Sequence, residues 1–427
     1  MLALEVFGAF IAIALAGVPL VYAILIATVG AIWVKGLSDP LESIFLAYIS
    51  GVEPFLLIAV PLFIFAGEVL SHGGVGKRIV NFTRTIFGFL PGGLGIVAVI
   101  SCLLFGGVSG SALADTAAIG ALVVPAMVAR GYPRPFIAAL LAVAGTLALL
   151  MPLSIPFVVF AFMAGVSMRD LGMAGIIPAV LMAVVLSLVC VWYGKKTGCD
   201  NGSTRATRRE MWMAFKDAGP ALVMPVIIVG GIWSGLFTPT EAAAVSVVYG
   251  LVVSLIVYRD ITWRDLPRML LSALRTSAVV MLIVGATGAL AWLITAEQVA
   301  VQLAAMVTHV AKAPWEFLLL VNVVLLLLGM FIEPLPAMLL TAPLLLPIAQ
   351  AYHIDLVHFG VVVTANLAIA LVHPPAGPAL FIAAKLAQVK IGAATRALLP
   401  LLAADLIVLV LITYIEPLSL VLVRHFR

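Results

Sequence analysis

The chain has 427 residues, 64% of them hydrophobic and 10% charged, with a formal net charge of +4. Soluble domains carry about 25% charged residues, so this composition excludes an ordinary soluble enzyme or binding domain. The basic residues sit largely in short connections, a feature of membrane topology and not of nucleic-acid binding.

Long stretches carry no formal charge, among them 135–168, 171–194, 276–296 and 356–384. A spanning helix needs roughly 20 mostly apolar residues, so an all-α polytopic membrane protein is expected. The N-terminal MLALEVFGAF has no basic segment before its apolar run, which predicts a retained first helix over 4–34 and not a cleaved signal. A second helix is expected at 54–71.

The next region, Pro91 to Met168, does not read as simple spans. Its centre, Gly106-Gly107-Val108-Ser109-Gly110-Ser111, is polar and glycine-rich between two apolar arms. That pattern predicts a re-entrant helical hairpin with its tip at Ser109–Ser111. The following stretch is interrupted at Met151-Pro152-Leu153-Ser154-Ile155-Pro156. Proline removes a backbone donor and clashes with the preceding turn. The freed carbonyls need protein, water or solute as partners when the break lies at membrane depth.

Helices are then expected at 171–193, 218–237, 242–258, 270–294 and 314–332. The connection Lys195–Lys216 holds Lys195, Lys196, Arg205, Arg208, Arg209 and Lys216 against Asp200 and Glu210, and the positive-inside bias places it in the cytoplasm. Arg259, Arg264, Arg268 and Arg275 form a second basic group. Two apolar segments separate the groups, so both fit one side.

A second irregular region runs from Gly329 to Ala384. Glu333-Pro334-Leu335-Pro336 is its candidate tip, and His373-Pro374-Pro375-Ala376-Gly377-Pro378 interrupts its second helix. Pro125 and Pro347, Pro152 and Pro374, and Pro156 and Pro378 share one and the same offset along the chain. Hairpin, loop and broken helix thus recur in order, which predicts an internal repeat. Interrupted helices at matching places in two halves point to a transporter binding site. A last helix is expected at 396–423.

Helix N-termini favour anions, and unwound carbonyls with Ser or Thr hydroxyls suit Na⁺. Ser109, Gly110 and Ser111 at the first tip, and Thr146 and Ser154 near the first break, have those groups; equally, small residues permit close helix packing. Asp115 stands in an otherwise uncharged stretch and has three readings: helix cap, cation ligand or proton carrier. Glu333 is expected near the second tip, whereas Glu68 and Glu241 read as structural interface residues. His373 could donate to an anionic solute or simply pack. Asn366 could bind solute or join two helices. The cysteines Cys102, Cys190 and Cys199 are odd in number and lack metal-ligand spacing. No Walker-type or HExxH motif occurs, so an ATP-driven pump is not expected.

The sequence resembles the large membrane subunit of tripartite ATP-independent periplasmic (TRAP) transporters. The resemblance is carried over nearly the whole chain, by Pro61-Leu62-Phe63-Ile64-Phe65-Ala66-Gly67-Glu68, Phe105 to Asp115, Ser154-Ile155-Pro156, and Ala174 to Pro178. Ser234-Gly235-Leu236-Phe237-Thr238-Pro239-Thr240-Glu241-Ala242-Ala243-Ala244 is especially specific. Phe331-Ile332-Glu333-Pro334, His358-Phe359-Gly360, Asn366 to Ile369 and Pro374 to Gly377 complete it.

The resemblance implies an elevator-type transporter in the bacterial inner membrane. Two repeats, 91–170 and 313–390, would form the transport domain. Residues 1–90 and 171–312 would supply scaffold and connecting helices, and 391–427 a C-terminal helix. It also implies a small four-helix membrane subunit, a periplasmic solute-binding protein, a small organic acid as solute, surrounding lipid, and Na⁺ as coupling ion with no other cofactor. One Na⁺ site would draw on Ser109, Gly110, Ser111, Asp115, Thr146 and Pro152. The other would draw on Glu333, Pro374, Pro375 and Gly377. Solute would contact Ser109, Gly110, Ser111, Ser154, Asn366 and His373.

The chain departs from the family pattern at Ala148 for glycine, Leu153 for the second proline of a pair, and Leu335 and His373 for threonines. Pro378-Ala379 stands where an asparagine is usual. These departures imply altered ion coupling or solute. A stand-alone secondary transporter is the second reading. An intramembrane enzyme built on Asp115 and His373 is the third.

Overall fold

The computed structural model describes residues 8–10, 12–13, 16–35, 40–199, 205–374 and 377–426. Among them all regular structure is helical, as lipid demands of a chain that must satisfy its own backbone.

The first part comprises α1 (Leu20–Lys35), α2 (Pro40–Val52), α3 (Ala59–His72) and α4 (Val75–Phe87). Hairpin α5 (Gly93–Ser109) and α6 (Ala112–Ala129) follows, then α7 (Arg134–Thr146) and α8 (Ile155–Ala164), and α9 (Met168–Thr197). The middle holds α10 (Arg208–Trp233), α11 (Pro239–Val252) and α12 (Leu266–Ala296). Next come α13 (Val299–Val310), hairpin α14 (Pro314–Gly329) and α15 (Pro334–Ala351), α16 (Leu356–Ala370) and α17 (Pro378–Ala387). The chain closes with α18 (Ile391–Tyr414) and α19 (Pro417–Phe426).

Eight helices are long and apolar enough to cross a membrane, or up to ten if each bent pair counts as one span. One such pair is α7 with its 3₁₀ extension and α8, bent by 40°. The other is α13 and α14, bent by 109°.

The repeat is visible in the helix ends. The starts of α5, α6, α7 and α9 recur at α14, α15, α16 and α18 in the register that the paired prolines share, each to within a single position. Between α5 and α14, beyond the hairpin arm α6, lie five candidate spans by length and composition: α7–α8, α9, α10, α11 and α12. Five crossings would bring the second hairpin in from the opposite side, as in an inverted repeat.

Three helices escape a search for long apolar runs: α2, α4 and α13. Helix α4 carries Lys77, Arg78 and Arg84 and, at 13 residues, is only ~20 Å long. Two expected single helices are divided. The 4–34 stretch turns at Gly17, whose φ is +88°, and α1 starts after Pro19. Parts of that stretch, 1–7, 11 and 14–15, lie outside the described residues. The 396–423 stretch ends as α18 at Tyr414 and restarts at Pro417, where proline cannot continue a helical ladder. The basic connection is shorter than 195–216, because α9 runs to Thr197 and α10 begins at Arg208 behind a Thr207–Glu210 capping box.

The specific segment around Thr238-Pro239-Thr240-Glu241 has a structural explanation. Thr238 and Glu241 form a capping box at the start of α11, with proline at its first helical position. At the basic end, Arg78 joins three elements. It pairs with Asp217 at 3.4 Å and with Asp260, and lies over the Tyr258 ring at 3.6 Å. Burial pushes the Tyr258 hydroxyl up to about 12, so it stays a donor to the Asp217 carbonyl at 2.9 Å.

Candidate functional site

The first tip is closed by its own side chains. Gly110 ends α5 in the left-handed region at φ +60°, where other residues are strained. A Cβ there would sit 2.7 Å from the Leu153 carbonyl oxygen, so glycine is required on two counts. Ser111 caps α6 by accepting from the Ala114 amide at 3.4 Å. The Ser109 hydroxyl donates to the Asp115 carboxylate, and the Ser111 amide donates back to the Ser109 Oγ at 3.3 Å. Asp115 is fully buried, and its Oδ2 has no protein partner.

The first break packs against that tip. A 3₁₀ turn, Leu147–Leu150, ends α7, and Ser154 caps α8 by accepting from the Phe157 amide at 3.4 Å. A Cβ on Gly106 would lie 2.6 Å from the Ala148 Cα and 3.0 Å from Asp115 Oδ2. The bare Gly106 therefore makes room for the Ala148 methyl. Thr146 is buried and donates to the Val143 carbonyl at 2.8 Å. Pro152 faces away from the tip, toward Gly172 of α9.

The second tip and break are built differently. Glu333 is the N-cap residue of α15 but makes no side-chain cap bond, and it is exposed. At the second break the chain turns on backbone bonds from the His373 N–H to the Ala370 carbonyl at 3.1 Å and from the Ala379 N–H to the Leu371 carbonyl at 3.3 Å. His373 is half-buried, with Nδ1 2.9 Å from the Pro374 carbonyl. Gly377 packs against the Leu371 carbonyl, 2.7 Å from where a Cβ would stand. Pro375 lies outside the described residues.

Both tips and both breaks meet at one cleft of about 190 Å³. The first tip contributes Gly110, Ser111, Ala112 and Leu113, and the first break Leu149, Ile155 and Pro156. The second tip contributes Glu333, Pro334 and Leu335, and the second break Leu371. Ile64 of α3, with Thr276 and Val280 of α12, closes the third side. The cleft therefore receives the N-terminal turns of α6, α8 and α15, each bringing the positive end of a helix dipole; amide donors are few, because Pro156, Pro334 and Pro336 have no N–H and the Ala114 and Phe157 amides are taken by the Ser111 and Ser154 caps. Among the described residues no lysine, arginine or histidine lines it.

Of the residues singled out from the sequence, Gly110, Ser111 and Glu333 line the cleft. Ser109, Asp115, Thr146 and Ser154 are buried behind the first tip and break, and Pro152 faces α9. Asn366, read as a solute contact or as a link between helices, is fully buried in α16 and outside the cleft lining. Its amide donates to Asn322 Oδ1 at 2.6 Å and to the Val362 carbonyl at 3.0 Å. Asn322 in turn donates to Thr413 Oγ1 at 3.0 Å, so α16, α14 and α18 are joined by side chains. His373 likewise turns to its own backbone, outside the cleft lining.

Sequence reasoning missed Ile64, Thr276 and Val280, which carry no pattern that would single them out. It also missed Asp405 of α18, fully buried with both carboxylate oxygens unpartnered by protein. A lone acid inside LLAADLIVLV was the available signal.

A family model described as "Tripartite ATP-independent periplasmic transporter, DctM component" matches residues 1–418. The chain is 36% identical over 436 aligned positions to the C4-dicarboxylate TRAP transporter large permease protein DctM of Rhodobacter capsulatus, covering 99% of each. It is 38% identical to the sialic acid TRAP transporter large permease protein SiaM of Vibrio cholerae, covering 88% of each. Its fold is similar to that of the Alcanivorax borkumensis YdaH transporter, with a TM-score of 0.63, 16% identity, and 90% and 91% of the two chains covered.

Proposed function

The chain belongs to the DctM-component family of tripartite ATP-independent periplasmic transporters, and from that premise we propose that it imports a small organic acid across the bacterial inner membrane, driven by a Na⁺ gradient. Membership makes it the large permease of a transporter and not an enzyme, which sets aside a reactive Asp115–His373 pair. The solute would be delivered by a periplasmic binding protein, and a small four-helix membrane subunit would brace the scaffold. Curated relatives are named for C4-dicarboxylates and sialic acid, and one in Oleidesulfovibrio alaskensis, named for isethionate, is a longer DctMQ permease.

The observation that carries the anion reading is the convergence of three helix N-termini on a cleft with no basic side chain among its described lining residues. Their dipole ends would hold a carboxylate there. For Na⁺, the first tip offers oxygen ligands in Ser109, Ser111, Asp115, Thr146 and the backbone around Gly110 and Pro152. The second offers Glu333 and the backbone at Pro374, Pro375 and Gly377. Hard cations take such oxygens. Repeats 91–170 and 313–390 would move as one transport domain against 1–90 and 171–312, carrying the cleft by an elevator movement, with 391–427 as the C-terminal helical segment.

The test is uptake into proteoliposomes holding the permease and its partners, with and without an inward Na⁺ gradient. Acid uptake that requires the gradient is expected. Uptake indifferent to Na⁺ and following pH rejects the sodium assignment.

A further inference from the structure

We propose that the cleft is built for a monocarboxylate with an apolar body, such as a ring or a branched chain, and not for a dicarboxylate or a polyhydroxylated acid. The inference rests on the organic-acid reading above and narrows it.

Charge decides against two carboxylates. The N-terminal turns of α6, α8 and α15 give the cleft the positive ends of three helix dipoles, and no basic side chain among the described lining residues adds to them. Among the described residues its one charged lining side chain is Glu333, which stands at the α15 end of that lining with no hydrogen bond from its side chain to the helix it caps. A second carboxylate would meet this acid, and no lysine, arginine or histidine among the described lining residues offsets it. Glu333 is exposed, so the repulsion is screened and disfavours a second carboxylate wherever Na⁺ does not neutralise the acid.

Polarity decides against many hydroxyls. Among the described residues the only lining hydroxyls are Ser111 and Thr276. Ser111 already accepts from the Ala114 amide, and Thr276 donates to its own helix, to the Ser272 carbonyl at 3.2 Å. Leu113, Leu149, Ile155, Val280 and Leu335 present hydrocarbon to the rest. A sugar acid would leave its hydroxyls unpaired against them, a loss a binding site cannot recover.

Size agrees. A cavity of roughly 150 Å³ lined by apolar side chains takes a benzene ring. The cleft here is about 190 Å³, enough for a ring or branched chain with one carboxylate attached.

The experiment measures thermal stabilisation of the purified permease with its small membrane subunit, in micelles at constant NaCl. Phenylacetate, succinate and phenylacetamide are titrated separately. Phenylacetate is expected to stabilise at lower concentration than succinate, and the neutral amide not at all. Leu335→Thr should weaken phenylacetate binding about tenfold, the scale of losing apolar contact in a pocket. Glu333→Gln should strengthen succinate relative to phenylacetate. Tighter binding of succinate than of phenylacetate by the unaltered protein overturns the inference and leaves the organic-acid reading standing. Equal stabilisation by phenylacetamide and phenylacetate overturns the carboxylate reading itself. Absence of stabilisation by both acids overturns the two together.

Discussion

The two hairpin tips occupy equivalent places in the two repeats, yet they are closed by different chemistry. At the first, a left-handed glycine, a serine cap and the Ser109–Asp115 hydrogen bond lock the turn, and the break behind it packs against Gly106 and Gly110. At the second, Glu333 is exposed and makes no cap bond, and the described part of the break is held by backbone bonds and by the His373 ring against the Pro374 carbonyl. The repeat therefore preserves helix ends and direction, while the side chains that close each tip are free to differ. The first tip brings Gly110, Ser111 and the N-terminus of α6 to the cleft; the second brings the side chains of Glu333 and Leu335.

The sharpest way to break this contrast is Gly110→Ala. The substitution forces an alanine into the left-handed region, at roughly 1–2 kcal/mol, and drives a Cβ to 2.7 Å from the Leu153 carbonyl. Proteoliposome uptake should collapse, whereas Ile332→Ala, at the matching position of the second tip, should retain most of it. Equal losses would mean that the tips are closed alike.

Asp115→Ala comes next. It strips the Ser109 hydroxyl of its buried partner, a hydrogen bond worth about 0.5–1.5 kcal/mol, and should lower the thermal unfolding midpoint in micelles. Glu333→Ala removes an exposed side chain without a cap bond and should change stability by less than about 0.5 kcal/mol. Reversal of that order would refute the assignment of the locked tip.

Ser154→Ala deletes the cap of α8 and should cost about 1 kcal/mol, read in the same unfolding assay. The smallest effect concerns Asn366. A double-mutant cycle of Asn322→Ala and Asn366→Ala should give a coupling of ~0.6 kcal/mol, the usual scale for hydrogen bonds between membrane helices. Solute preference should not move in either single variant. A shift in preference without coupling would return Asn366 to the solute site.

Much of this architecture is legible in the sequence. Uncharged stretches of spanning length, the basic connection near Lys195, and three proline pairs in one shared register are local properties, and they determined the membrane fold, both hairpin tips and both broken helices. The amphipathic α4 stayed hidden because its charges interrupt the apolar signal, and α13 because it is too short to span.

Tertiary structure alone decided which of the marked residues line the cleft. Asn366 and Thr364 are near neighbours on one helix and are both buried, and nothing in their spacing tells that the Asn366 amide turns to Asn322 on α14. Likewise Ser111, Ile155, Thr276 and Leu335 come from four distant parts of the chain and share one cleft. Composition and periodicity report how each helix meets lipid, since that depends only on neighbours along the chain. The meeting of three helix N-termini depends on how the two halves pack, and packing is a property of the whole.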